Sequence, residues 1–146
     1  PTHPSEYPFR LEGGTPNTVG FAGLGASLDY VVDKGPANML AHERALLKQL
    51  IDALTGDERF TVLGSTDMTR KGGVVSFTVE GMEPAEVGAV LDESFEIAVR
   101  PGLHCSPYTH KELGTFPDWS VRVGPGPFTT TDEIDQLIAA LQQIVL

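Results

Sequence analysis

The residues best equipped for chemistry cluster around a single cysteine. Val99-Arg100-Pro101-Gly102-Leu103-His104-Cys105-Ser106-Pro107 sets that cysteine beside a histidine and five positions after an arginine. Pro101, Gly102 and Pro107 interrupt regular structure on both sides, so the sequence predicts a turn or loop reached from a short apolar strand. A thiol is nucleophilic as its thiolate, a form that cationic neighbours favour. Arg100 and His104 are neighbours of that kind. The competing reading makes Cys105 a small buried hydrophobe and His104 incidental. His104, Cys105 and His110 also invite a zinc reading, but the spacing is non-standard and no fourth ligand suggests itself.

Two further stretches bear on an anion. Gly13-Gly14-Thr15-Pro16-Asn17-Thr18 can present backbone N–H groups and a hydroxyl to a negative charge. The same residues can equally open a helix, with Asn17 or Thr18 as its cap. Arg122 sits in an apolar stretch that reads as a strand.

Composition narrows the setting. The 146 residues suffice for one core, or one small domain with an appendage. One cysteine excludes an internal disulfide and a Cys-x-x-Cys motif. A formal charge of −10 disfavours nucleic acid, and the densest basic pair, Arg70-Lys71, is two residues in a turn. No apolar run reaches membrane-spanning length. Residues 1–10 are proline-rich and polar with no apolar signal segment, so the expectation is a cytoplasmic protein.

The elements that must position these residues follow from periodicity. Prolines 1, 4, 8 and 16 keep residues 1–18 irregular. Val19 to Val32, with Phe21, Leu24 and Leu28, reads as a buried helix closed by Lys34-Gly35-Pro36. From Pro36 to Leu54 the three-to-four spacing of Leu40, Leu47, Leu50, Ile51 and Leu54 predicts a long amphipathic helix, with His42 on its polar side. Strands are predicted at Phe60–Gly64, Gly73–Val79, Phe95–Val99 and Trp119–Val123. Helices are predicted from Met82 to Leu91, with stripe Val87, Val90 and Leu91, and from Asp132 to Ile144. Residues 101–118 read as a long irregular segment. The sum from residue 57 onward is a strand–strand–helix–strand–strand–helix unit, an α/β (α+β) two-layer sandwich covered on one face.

Several separated motifs, in order, carry a resemblance. They are Arg10 to Thr18, Gly23-Leu24-Gly25-Ala26, His42-Glu43, Ser76-Phe77, Arg100-x-Gly-x-His104-Cys105-x-Pro107, and Val121-Arg122-Val123 followed by Phe128 and a threonine- and acid-capped helix. Together they resemble the C-terminal portion of the cysteine desulfurase and selenocysteine lyase branch of the class V aminotransferases, over nearly the whole chain. The resemblance implies the small C-terminal domain of a pyridoxal 5′-phosphate-dependent transferase, preceded by helices that belong with the large domain. On that reading residues 1–35 are a remnant of the large domain, 36–56 a linking helix and 57–146 the small domain.

The resemblance also implies roles. Cys105 becomes the nucleophile that attacks the substrate sulfur, leaving a persulfide and alanine. Arg122 pairs with the substrate α-carboxylate, Arg100 shapes the cysteine loop, and His104 lies beside it without a proton-transfer role. Gly14 and Thr15 approach the cofactor phosphate across a homodimer interface. A small amino-acid substrate and a sulfur-acceptor protein are the implied partners. No segment resembles the cofactor-lysine motif, the ring-stacking histidine or the aspartate on the pyridine nitrogen, so the chain is expected to be the last third of an enzyme and inactive alone. The stretch after Arg122 also departs from the family's serine and tyrosine–asparagine pattern. An aminotransferase or selenocysteine lyase activity, or a stand-alone sulfur-acceptor module, are the alternatives. A helix separated from its large domain should expose Phe21, Leu24 and Leu28.

Overall fold

A computed structural model describes residues 3–145. Residues 1, 2 and 146, the ends of the expected segments 1–35 and 57–146, lie outside the described residues. The chain divides into two compact units, Pro1–Asn38 and Met39–Leu146.

The first unit holds a short 3-10 turn at Phe9–Leu11 and helix α1, Thr18–Lys34. Asn17 caps α1 by accepting from the Gly20 N–H at 2.9 Å. Gly35, with φ of +79°, ends it, a backbone state that costs glycine little. The expectation of a buried helix fails: α1 buries no residue. Phe21, Leu24 and Leu28 recur on one face and are 64%, 57% and 55% exposed, the exposure expected of these three side chains.

The second unit is built on an antiparallel four-stranded sheet, in spatial order β1-β2-β4-β3. Its strands are β1 Phe60–Leu63, β2 Val75–Val79, β3 Arg100–Gly102 and β4 Ser120–Val123. Alternation sends Val75, Phe77, Val79, Val121 and Val123 to one face. There they form a single core with Leu46, Leu47, Leu50, Ile51 and Leu54 of α2 (Pro36–Thr55), Val87 and Leu91 of α3 (Pro84–Phe95), and Ile134, Leu137, Ala140 and Leu141 of α5 (Thr131–Ile144). This is the expected two-layer arrangement of mixed helix and sheet. Leu40 departs from the helical stripe and is 41% exposed, and Leu46 takes a core place instead. A reciprocal capping box starts α5: the Glu133 N–H donates to the Thr130 hydroxyl, and the Thr130 N–H donates to the Glu133 carboxylate.

The strand expected at Phe95–Val99 lies elsewhere. Phe95 is the last residue of α3, and Glu96, at φ 57°, caps it in the left-handed region. The Ile97 N–H then reaches back to the Leu91 carbonyl at 3.0 Å. Phe95, Ile97 and Val99 pack on the core from a helix end and the segment that follows it, and pairing starts only at Arg100, opposite Arg122. The same apolar alternation serves both geometries, so it does not separate them. The segment expected to be irregular contains a short helix, α4, Pro107–Glu112. No helix of the described residues is long and apolar enough to cross a membrane.

Candidate active site

Cys105 is exposed and occupies the tip of a tight turn. The Ser106 N–H donates to the Leu103 carbonyl at 3.0 Å, and the two residues between, His104 and Cys105, have φ of 54° and 57°. Two successive positive φ values in a hydrogen-bonded four-residue turn are the signature of type I′, normally filled by asparagine and glycine. Each non-glycine residue in that region costs about 1–3 kcal/mol and is held only where its surroundings impose it. Part of that imposition is visible: His104 Nε2 donates to the Arg100 carbonyl at 2.8 Å, closing the chain from β3 onto the turn.

Arg100 and Arg122 stand directly opposite each other on β3 and β4, and Ser76 of β2 faces Arg122 from the other side. Because Val121 and Val123 point into the core, Arg122 projects to the opposite face of the sheet. Neither arginine joins an ion pair among the described residues, where the bridges are Lys48–Asp52 and Asp57–Arg59. The chain therefore holds two like charges side by side on neighbouring strands, an arrangement that disfavours the sheet unless an anion joins it. Burial, as the largest cause, holds the His104 imidazole below the ordinary histidine range. Electrostatic interaction with Arg122, His110 and Arg100 acts in the same direction, against the hydrogen bond to the Arg100 carbonyl.

The second unit thus brings Arg100, His104, Cys105 and Arg122 together at the β3 edge of the sheet. Gly14 and Thr15 belong to the first unit, in an exposed turn where Gly14 has φ of +97°. His42 is engaged rather than free, its Nε2 donating to the Thr129 carbonyl at 2.8 Å. Among the described residues no three histidine, cysteine or acidic side chains converge as a metal site.

Residue types and spacing do not reveal what lies behind the turn. His110 of α4 is 4% exposed, and Trp119 and Thr115 contact it. The sequence offers His110 only as a metal ligand, and no local pattern marks a histidine that packs between rings.

The aminotransferase class-V family matches residues 2–137. A cysteine desulfurase of Pectobacterium atrosepticum is 36% identical over 140 residues, which cover 96% of this chain and 33% of that protein. A probable cysteine desulfurase of Streptomyces coelicolor is 34% identical, covering 97% and 34%. Among solved structures, the apo cysteine desulfurase of Thermococcus onnurineus NA1 superposes with a TM-score of 0.86 at 32% identity, over 97% of this chain and 34% of that one. The cysteine desulfurase CsdA of Escherichia coli, in an S-sulfonic acid form, gives 0.78 at 27% identity, over 93% and 32%. The chain spans about one third of the length of the relatives it matches. A family match over most of the chain and the superposed fold lead to one assignment: this chain belongs to the class-V aminotransferase family.

Proposed function

We propose that this chain supplies the thiol and the carboxylate clamp of a cysteine desulfurase, converting L-cysteine to L-alanine with a persulfide on Cys105. The observation that carries the reading is the pair of guanidinium groups, Arg100 and Arg122, opposite each other and without ion-pair partners among the described residues, where the edge strand leads to the Cys105 turn. In a chain of net charge −10, an anionic substrate needs such a local cationic site. A guanidinium fork suits a planar carboxylate.

The family is generally pyridoxal 5′-phosphate-dependent, and the described residues fit a partial share of that cofactor's site. A Cβ added at Gly13 or Gly14 would meet nothing within 4 Å, so the backbone of this turn is open to a phosphate, and Thr15 beside it is exposed. The lysines make a weaker case for a covalent anchor. Lys34 lies over the Tyr30 ring, Lys48 pairs with Asp52, and Lys111 lies over the Tyr108 and Phe116 rings. Lys71, in the β1–β2 loop, has its pKa lowered by burial, as an anchoring amine would, but the residues around it do not resemble the cofactor-lysine motif. The anchoring lysine is therefore assigned to the rest of a family-length protein, and this chain alone is assigned no turnover.

When bound, the cofactor supplies the electron sink that labilises the substrate. This chain's residues hold and cleave. Arg122 grips the α-carboxylate, with Arg100 reinforcing the positive potential. The Cys105 thiolate attacks the substrate sulfur: an S–S bond forms, the C–S bond breaks with its electron pair kept on carbon, and protonation there yields alanine. A homodimer that brings Gly14 and Thr15 to a second copy's site, and a sulfur-acceptor protein that relieves Cys105 of its persulfide, complete the proposal. It is tested in a family-length protein carrying this sequence, by alanine release from L-cysteine. Arg122→Ala should raise KM about 10- to 100-fold, the loss of a charge-assisted pair. An unchanged KM would contradict the clamp.

A further inference from the structure

Outside the groups already assigned, one buried polar side chain links the strand that carries Arg122 to the turn that carries Cys105. His110 lies on α4 and is 4% exposed, yet it is no part of the aliphatic core under the sheet. Its ring meets Trp119, the residue before β4, edge-on with centroids 5.3 Å apart and planes at 82°. Phe116 meets the same tryptophan at 5.3 Å and 83°. The His110 ring also lies 6.0 Å from that of His104, tilted by 36°. His110 Nδ1 and the Thr115 hydroxyl are 2.7 Å apart, and the Thr115 N–H donates to the His110 carbonyl at 2.9 Å, so the ring's own position is fixed.

We propose that His110 is a positioning residue: its ring, packed on both Trp119 and His104, holds the strained turn that presents Cys105. This rests on the reading of Cys105 as the reactive thiol. The physical need is plain from the backbone. His104 and Cys105 both sit at positive φ, a state their side chains disfavour, and an exposed turn of that kind relaxes unless neighbours impose it. The hydrogen bond from His104 to the Arg100 carbonyl fixes the ring at one end. Packing against His110 blocks the ring from swinging away, and a swing of that ring would carry the adjacent Cys105 with it. An aromatic ring is sufficient for this task, so the role depends on shape more than on the imidazole's charge.

The test is backbone ¹⁵N relaxation of the full 146-residue chain, comparing His110→Gln with His110→Phe. Glutamine keeps a polar partner for Thr115 and removes the ring; phenylalanine keeps a ring and removes the polar partner. In the Gln variant, order parameters over residues 103–106 should fall from about 0.85 to below about 0.6, while the Phe variant stays near the parent value. Thermal unfolding is followed in parallel. A histidine that merely fills space would lower the midpoint in both variants and leave the turn ordered, which would overturn the proposal, as would equal mobility in both. Should the Gln variant not fold, His110→Leu, which keeps apolar volume and removes the ring, replaces it: a mobile turn supports the proposal and a rigid one overturns it. Backbone order requires no sulfur chemistry, so failure here is distinct from failure of Cys105 as the persulfide carrier.

Discussion

Arg122 and Arg100 face each other across the β4–β3 ladder with no carboxylate bridging them among the described residues. Two guanidinium groups in adjacent register repel, which costs the sheet stability and is the cost the proposed carboxylate clamp accounts for. Arg100→Gln should therefore raise the stability of the chain by roughly 0.2–1 kcal/mol while weakening anion binding. Urea denaturation reads the first effect. A loss of stability instead would mean that the pair has a supporting role in the fold.

Gly88 marks the contact that sets β3 in place. A Cβ there would stand 2.7 Å from Pro101 Cγ, a rigid ring on the strand that leads to the Cys105 turn. Helix propensity alone would favour alanine at this position of α3 by about 1 kcal/mol. Overpacking costs about 1–3 kcal/mol, so Gly88→Ala should give a net loss of about 1 kcal/mol, with amide shifts at residues 100–106. A stabilised variant with an unmoved β3 would contradict the contact.

The His104 ring should titrate below the ordinary histidine value of about 6.5, since burial and the neighbouring cations disfavour its charged form. The sign follows: a folded-state pKa below the unfolded one removes stability as pH falls below that ordinary value and costs nothing above it. Arg122→Gln should move the NMR titration midpoint upward without restoring it fully, because burial is the larger cause. No movement would mean that Arg122 does not reach the ring.

Asp57 and Arg59 form a second pH-sensitive element, ahead of β1. Arg59 donates to both carboxylate oxygens and, through Nη1, to the Val145 carbonyl at 2.8 Å. Hydrogen bonds from the Arg59 side chain and N–H hold the Asp57 carboxyl down at about 2, against an ordinary 3.8. The contribution is complete above the ordinary value and vanishes as pH falls through about 2. The difference in thermal midpoint between the parent chain and Asp57→Asn should accordingly be constant at neutral pH and close at the acid end. A difference that persists at the acid end would exclude the carboxylate as its source.

Much of this architecture is legible in residue order because burial imposes periods. The stripe of α5 and the alternation of Val75, Phe77 and Val79 each admit one geometry, and the structure has them there. Phe95 to Val99 is legible only in part, since a helix cap followed by a lead into β3 satisfies the same alternation as a strand. The type I′ turn escapes local reading because Cys105 is not a residue that chooses positive φ and His104 does so only seldom. His110 escapes because its partners, Trp119 and His104, are set by the fold. For α1 the apolar stripe is plain, but among the described residues of its own unit nothing buries it.

The most direct test of the central claim is mass spectrometry of Cys105 after L-cysteine is added to a family-length protein carrying this sequence, loaded with pyridoxal 5′-phosphate and held without a sulfur acceptor. One additional sulfur should appear on the Cys105 peptide, reversible by a thiol reductant, in step with a first turnover of alanine, and neither in Cys105→Ser. Alanine formed at an undiminished rate by the serine variant, with no sulfur on Cys105 in the parent, would contradict it.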